Sequence, residues 1–193
     1  MWLDDREIEL LAQTGTSVAH CPCSNMKLSS GPARVIDMRR KGIAVGLGSD
    51  GEKENNNLDL LEEMKFASLL HKVSTLDPTT GDPWDILTMA TLEGARALGL
   101  DAVTGSLEAG KKADIVTVDL LGLHTTPLLH GYDFNAAARL VFSAGAADVD
   151  QVWVDGKLLV DGGHVLSVNT EQVRLRAQSA AEELFSRRAA LTS

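Results

Sequence analysis

The run Ile43 to Gly48, IAVGLG, constrains the fold of this chain more than any other stretch. Its apolar and small residues show no alternation, and they follow a segment with helical signals. That combination predicts a strand buried on both faces, as in a parallel sheet. The run ends in Ser49-Asp50-Gly51, after which the chain turns polar through EKENNNLD, with asparagines at 55, 56 and 57. In a parallel α/β fold, catalytic side chains project from the C-terminal ends of strands, where loops vary on a rigid frame. Asp50 stands at such an end. Asp-Gly is also a common turn pair, and from the dipeptide alone turn chemistry is the favoured reading. A calcium loop fails by counting from Asp50: Asn55 falls where glycine is needed, and Leu61 where a bidentate glutamate is needed.

The surrounding pattern extends the α/β reading. Ile8, Leu10 and Leu11 among acidic residues predict a short helix over 4–13, ended by Gly15. TSVAHCP reads as a buried strand stopped by Pro22. A helix is predicted over 29–41, with Ser30 as N-cap, Pro32 in the first turn and Arg39, Arg40 and Lys41 at its end. A long helix is predicted over about 57–72, capped by the asparagines, and another over 82–98 with Asp82 as N-cap and Gly99 as stop. Strand, helix, strand, helix, helix argues for βα units. The pattern changes near Gly105. Ile115 to Val118 is a β-branched run, Asp155-Gly156 is a two-residue hairpin pair, and a second turn falls at 161–163, so this half reads as antiparallel β. A last helix is predicted from Thr170 to about Arg188. The expected division is therefore 1–104, 105–168 and 169–193.

Composition narrows the partners. A formal charge of −9 disfavours nucleic acid and anionic membrane, because phosphate contacts need clustered Lys and Arg. No apolar run approaches the roughly 20 residues that span a bilayer, and WLDDREIELL after Met1 does not resemble a signal peptide, so the expected location is the cytoplasm. Cys21 and Cys23 are too close for an ordinary disulfide and too few for a structural zinc site, and they read as reduced thiols.

Other chemistry-bearing residues are weaker candidates. His20 ends the preceding strand, about one strand-helix-strand interval before Asp50, so the two side chains can face one mouth. Taken alone, His20 is more often structural. His71, His124, His130 and His164 show no metal-ligand spacing. Glu62 and Glu63 read as the solvated face of the long helix. There is no phosphate-binding glycine motif and no G-x-S-x-G elbow.

Four stretches taken in order, VAHCPCSNMKLSSG, GIAVGLGSDGEKENNNLDLLEEMKFASLL, MATLEGARALGL and GSLEAGKKADIVTVD, resemble the C-terminal half of the amidohydrolase superfamily. The nearest group is that of the methylthioadenosine/S-adenosylhomocysteine deaminases and the triazine chlorohydrolases, and the likeness runs from Trp2 to about Val168. The resemblance implies a (β/α)8 barrel of the TIM type, of which this chain holds about the last two strands, with a small antiparallel β-sandwich segment and a C-terminal helix. It implies one divalent metal, zinc or iron, at the barrel mouth. Asp50 matches the aspartate ending the eighth strand, which completes the metal site and takes the proton of the attacking water; His20, Asn25 and Asn56 match positions near the substrate. The implied reaction expels ammonia, an amine or halide from an N-heterocycle such as an adenosine derivative, guanine, pterin or triazine. Glu52, Lys53 and Glu54 depart from the small residues usual after Asp-Gly.

The superfamily's His-x-His, its His with a glutamate three residues on, and its catalytic His have no counterpart in this sequence. One carboxylate does not make a catalytic zinc site, which takes about three protein ligands. The chain alone is therefore expected to be inactive, requiring a missing N-terminal barrel segment or a companion chain; a homo-oligomer is compatible with this class. Two alternatives stay open: a non-enzymatic remnant serving as a binding or assembly module, and a cyclic-amide hydrolase of the same superfamily.

Overall fold

The structure, a computed structural model, describes residues 2–192. It opens with α1 (Asp5–Thr14), whose start is fixed by a reciprocal cap. The Asp4 carboxylate accepts the Glu7 amide at 2.8 Å, and the Glu7 carboxylate accepts the Asp4 amide at 2.8 Å. Gly15, at φ 66°, ends the helix in the left-handed conformation, and Ile8 faces the core. β1 (Val18–His20) follows, then α2 (Pro22–Lys27), α3 (Val35–Arg40) and β2 (Val45–Leu47).

β1 and β2 pair in parallel, with Val18 opposite Val45, Ala19 opposite Gly46 and His20 opposite Leu47. The parallel arrangement expected from IAVGLG is thus present. Val45 is fully buried on one side of β2, and Gly46 meets the later helix that carries Gly94 on the other. A Cβ on Gly46 would lie 2.8 Å from the Cα of Gly94, so the glycine permits the close approach of helix and strand.

Beyond β2 lie α4 (Glu52–Asn55), α5 (Leu60–Thr75), α6 (Pro83–Ala90) and α7 (Leu92–Ala97). Ile8, Val35, Met38, Val45, Ile86 and Met89, from α1, α3, β2 and α6, share one buried core. The second half holds β3 (Ile115–Val118), α8 (Ala136–Phe142), β4 (Val149–Val154), β5 (Lys157–Asp161) and β6 (His164–Val165), and then α9 (Thr170–Thr192). β3 to β6 form an antiparallel sheet in sequence order. Asp155 and Gly156, at φ 51° and 75°, make the β4–β5 turn with two left-handed residues, the geometry that Asp-Gly favours. No helix among the described residues is long and apolar enough to cross a membrane.

Several boundaries differ from the sequence expectation, each for a local reason. Pro22 does not simply stop a strand. It occupies the first turn of α2, where its missing N–H costs nothing. The helix expected over 29–41 shortens to α3, because Ser29 and Gly31 take left-handed conformations at φ 54° and 78°. The cap of α5 is Asp59, whose carboxylate accepts the Leu61 and Glu62 amides, rather than the asparagine run. The helix expected over 82–98 breaks at Thr91, where φ −127° and ψ −95° lie outside helical space. α8 had no sequence expectation; its short run AAARLVF buries Ala137 and Val141.

Candidate active site

Asp50 sits three residues past the end of β2, in a loop, with φ 62° and an exposed side chain. Its carboxylate is held at both oxygens. Ser24 of α2 donates its hydroxyl to Oδ2 at 2.7 Å, and the Gly51 amide donates to Oδ1 at 2.8 Å. These donors, Ser24 first, hold the Asp50 carboxyl below the usual carboxylate range, so it is an anion at neutral pH. Ser24 itself is buried, 3% exposed.

The other residues singled out in the sequence fall around this carboxylate at different depths. Asn25 follows Ser24 on α2 and is half-buried. Asn56 is exposed and ends α4 at φ 80°. Its side-chain oxygen accepts from Lys27 of α2, and Lys27 also donates to the Lys53 carbonyl at 2.7 Å, tying α2 to α4. His20 is 1% exposed, and its ring lies against His71 of α5 with centroids 5.1 Å apart. Among the described residues, both nitrogens of His20 and Nε2 of His71 have no hydrogen-bond partner. No hydrogen bond joins His20 to Asp50, Asn25 or Asn56 among the described residues.

Glu63 departs from its expected place on a solvated face. It is fully buried, and its carboxylate accepts the Cys23 amide at 3.1 Å and the Asn55 side-chain amide at 2.6 Å. The signal was helical spacing: Glu63, Ala67 and His71 stand four apart and all are buried, so Glu63 shares the inward line of α5. Ser24 had no signal beyond its place in the quoted SN pair. Cys21 and Cys23 are free and half-buried. Burial, and then the Glu63 charge, push the Cys23 thiol up to about 12, which makes it a poor nucleophile.

Among the described residues, no three His, Cys, Asp or Glu side chains stand close enough to hold a metal ion. A carboxylate such as that of Asp50 can ligate a metal, but a catalytic zinc site takes about three protein ligands.

Comparison with known proteins places the chain as a whole. A 5'-deoxyadenosine deaminase of Methanosarcina mazei is 48% identical over 97% of this chain, and a 5-methylthioadenosine/S-adenosylhomocysteine deaminase of Pelotomaculum thermopropionicum is 46% identical over 96%. Among solved structures, an adenosine deaminase from Xanthomonas campestris with bound zinc superposes with a TM-score of 0.89 at 37% identity, covering 95% of this chain and 41% of that one. An atrazine chlorohydrolase from Arthrobacter aurescens, complexed with zinc, gives 0.82 at 25% identity, over 93% of this chain and 39% of that one. The chain spans 42% of the length of the Methanosarcina mazei relative and 41% of the Pelotomaculum one. Residues 1–159 match the amidohydrolase family, and with that match the assignment is plain: the chain belongs to the amidohydrolase family.

Proposed function

We propose that this chain is the Asp50-bearing C-terminal portion of a metal-dependent deaminase that removes the ring amino group of an adenosine derivative. The observation that carries the reading is Asp50 itself: an anionic, exposed carboxylate just past the C-terminal end of a parallel strand, fixed by Ser24 and Gly51. In such a hydrolysis, water forms a C–O bond at the amino-bearing carbon, the C–N bond breaks, and ammonia leaves. Asp50 accepts a proton from the attacking water, the role of a positioned general base. Asn25 and Asn56 border the substrate and His20 underlies it. The adenosine class is preferred over triazines because the relatives named for adenosine derivatives are 46 to 48% identical, against 25% for the chlorohydrolase.

Three observations support reading the chain as part of a barrel and not a self-sufficient enzyme. The parallel sheet has two strands among the described residues, each with an unpaired edge. An apolar groove of about 850 Å³, lined by Ala19, Leu47, Leu87, Ile115 and Val152 among others, opens between that sheet and the antiparallel one. Among the described residues no three His, Cys, Asp or Glu side chains could hold a metal ion, so a metal at Asp50 would need further ligands. We therefore assign the further ligands to a missing N-terminal barrel segment, on the same polypeptide or a companion chain.

Co-expression with an upstream barrel segment carrying His-x-His tests this directly. Ammonia release from 5'-deoxyadenosine is expected from the pair and not from either part. A complete pair that binds metal yet leaves every aminopurine nucleoside unchanged would overturn the substrate class. A remnant serving only as an assembly module would give no turnover in any combination.

A further inference from the structure

We infer that Ser24 and Glu63 are positioning residues for Asp50, joined in one clasp that sets the geometry of the mouth; the inference deepens the proposed function and takes from it only that Asp50 is the working carboxylate. Asp50 lies in a loop with no ladder partner, and the one side chain that donates to its carboxylate among the described residues is Ser24. Ser24 is carried by α2, a six-residue helix with no side-chain cap. A helix that short does not hold itself in water, so its place is set by tertiary contacts. One of these is the Cys23 amide donating to Glu63, one residue before Ser24.

Glu63 grips the other side of the mouth as well. Its second oxygen accepts from the Asn55 side chain, and the Asn55 side-chain oxygen in turn accepts the Asn57 and Leu58 amides. A single carboxylate on the 16-residue α5 thus fastens α2, which carries Ser24, and the 55–58 loop. Lys27 bridging to Lys53 and Asn56 closes the same two segments from outside.

The choice of residue type argues that geometry is the purpose. Glu63 is fully buried and forms no ion pair among the described residues. Burying a carboxylate without a cation costs stability, and a well-packed apolar residue serves stability better. What Glu63 supplies is two acceptors facing two donors. Glutamine offers one acceptor and one donor, so Glu63→Gln must point its NH2 group at either Cys23 or Asn55. Asn55→Asp added to it restores the pairing: the introduced glutamine donates its NH2 to the introduced carboxylate and keeps the Cys23 amide on its own oxygen, while the other carboxylate oxygen keeps the loop amides.

The test uses the 193-residue chain, without metal or substrate, read by NMR: amide exchange at Cys23, Gly51 and Val45, and the couplings that report the Asp50 χ1 angle. Glu63→Gln is expected to speed exchange at Cys23 and Gly51 by about tenfold and to average the Asp50 χ1, with Val45 in the core unchanged. The Asn55→Asp, Glu63→Gln double variant returns both to within about threefold of the parent. Ser24→Ala frees the Asp50 χ1 alone, and Ser24→Thr restores it; this pair carries the test should the Glu63 variants fail to fold. An Asp50 χ1 unchanged in Ser24→Ala, no recovery in the double variant, or equal loss at Val45 overturns the inference. Failure of the deaminase reading shows separately, as a clasp intact by these measures in a completed protein that releases no ammonia.

Discussion

Asp50→Asn in the completed protein is expected to lower turnover by at least about 100-fold, the range over which general bases act, while leaving the fold intact. The side chain is exposed and packs against no core residue, so the substitution disturbs only its bonds with Ser24 and Gly51, a cost of about 1 kcal/mol that leaves the fold in place. Asparagine keeps one carbonyl oxygen for Ser24 or Gly51 and turns an NH2 group to the other donor. What it cannot do is accept a proton at neutral pH. The measurement is kcat beside urea unfolding of the same preparation. Loss of turnover with the protein still folded by its unfolding midpoint assigns the effect to chemistry at residue 50. Unchanged turnover removes Asp50 from the mechanism.

The second large effect is on stability and follows from the buried histidine pair. Burial, and then the nearby His71 charge, lower the His20 pKa to about 3; burial, and then the Arg39 guanidinium, lower that of His71 to about 4. Both rings are therefore neutral in the fold, whereas in the unfolded chain they titrate near 6.5. Above that value neither state takes up protons and the pair has no effect on the pH dependence. Below it the unfolded state gains protons that the fold refuses, so stability falls as pH drops from about 6.5 towards 4. At pH 4.5 the loss is on the order of a few kcal/mol for the two rings together, a sizeable share of the total stability of a small domain. Urea unfolding between pH 7 and 4.5 reads this as a falling midpoint. His71→Leu, which removes one titrating ring and one orphaned nitrogen, is expected to flatten that fall by about half. A midpoint independent of pH over this range contradicts the burial of the pair.

How much of this was legible in the sequence varies with the physics of each feature. IAVGLG revealed a doubly buried strand because a parallel strand has no wet face to print an alternation, and Asp155-Gly156 revealed its hairpin because few dipeptides tolerate two left-handed residues in a row. Thr91 gave no warning of the break between α6 and α7, since threonine is admitted in helices and strands alike. Asp50 was legible as a strand end followed by a polar loop. Its partners were less so. Ser24 and Glu63 act through contacts 26 and 40 residues apart in the chain, and no local pattern encodes a hydrogen bond at that separation. His20 was placed at a strand end by sequence, but the side toward which it turns follows from its register with Leu47 and from α5 packing above it.

The central claim is that Asp50 is one ligand of a metal site whose remaining ligands come from outside this chain. Metal analysis after dialysis against zinc tests it most directly, on the 193-residue chain, on its completed form and on completed Asp50→Asn. No retained zinc is expected for the chain alone, about one zinc per completed molecule, and loss of that zinc in Asp50→Asn. Equimolar zinc held by the chain alone, or by the completed Asp50→Asn protein as firmly as by its parent, would contradict it.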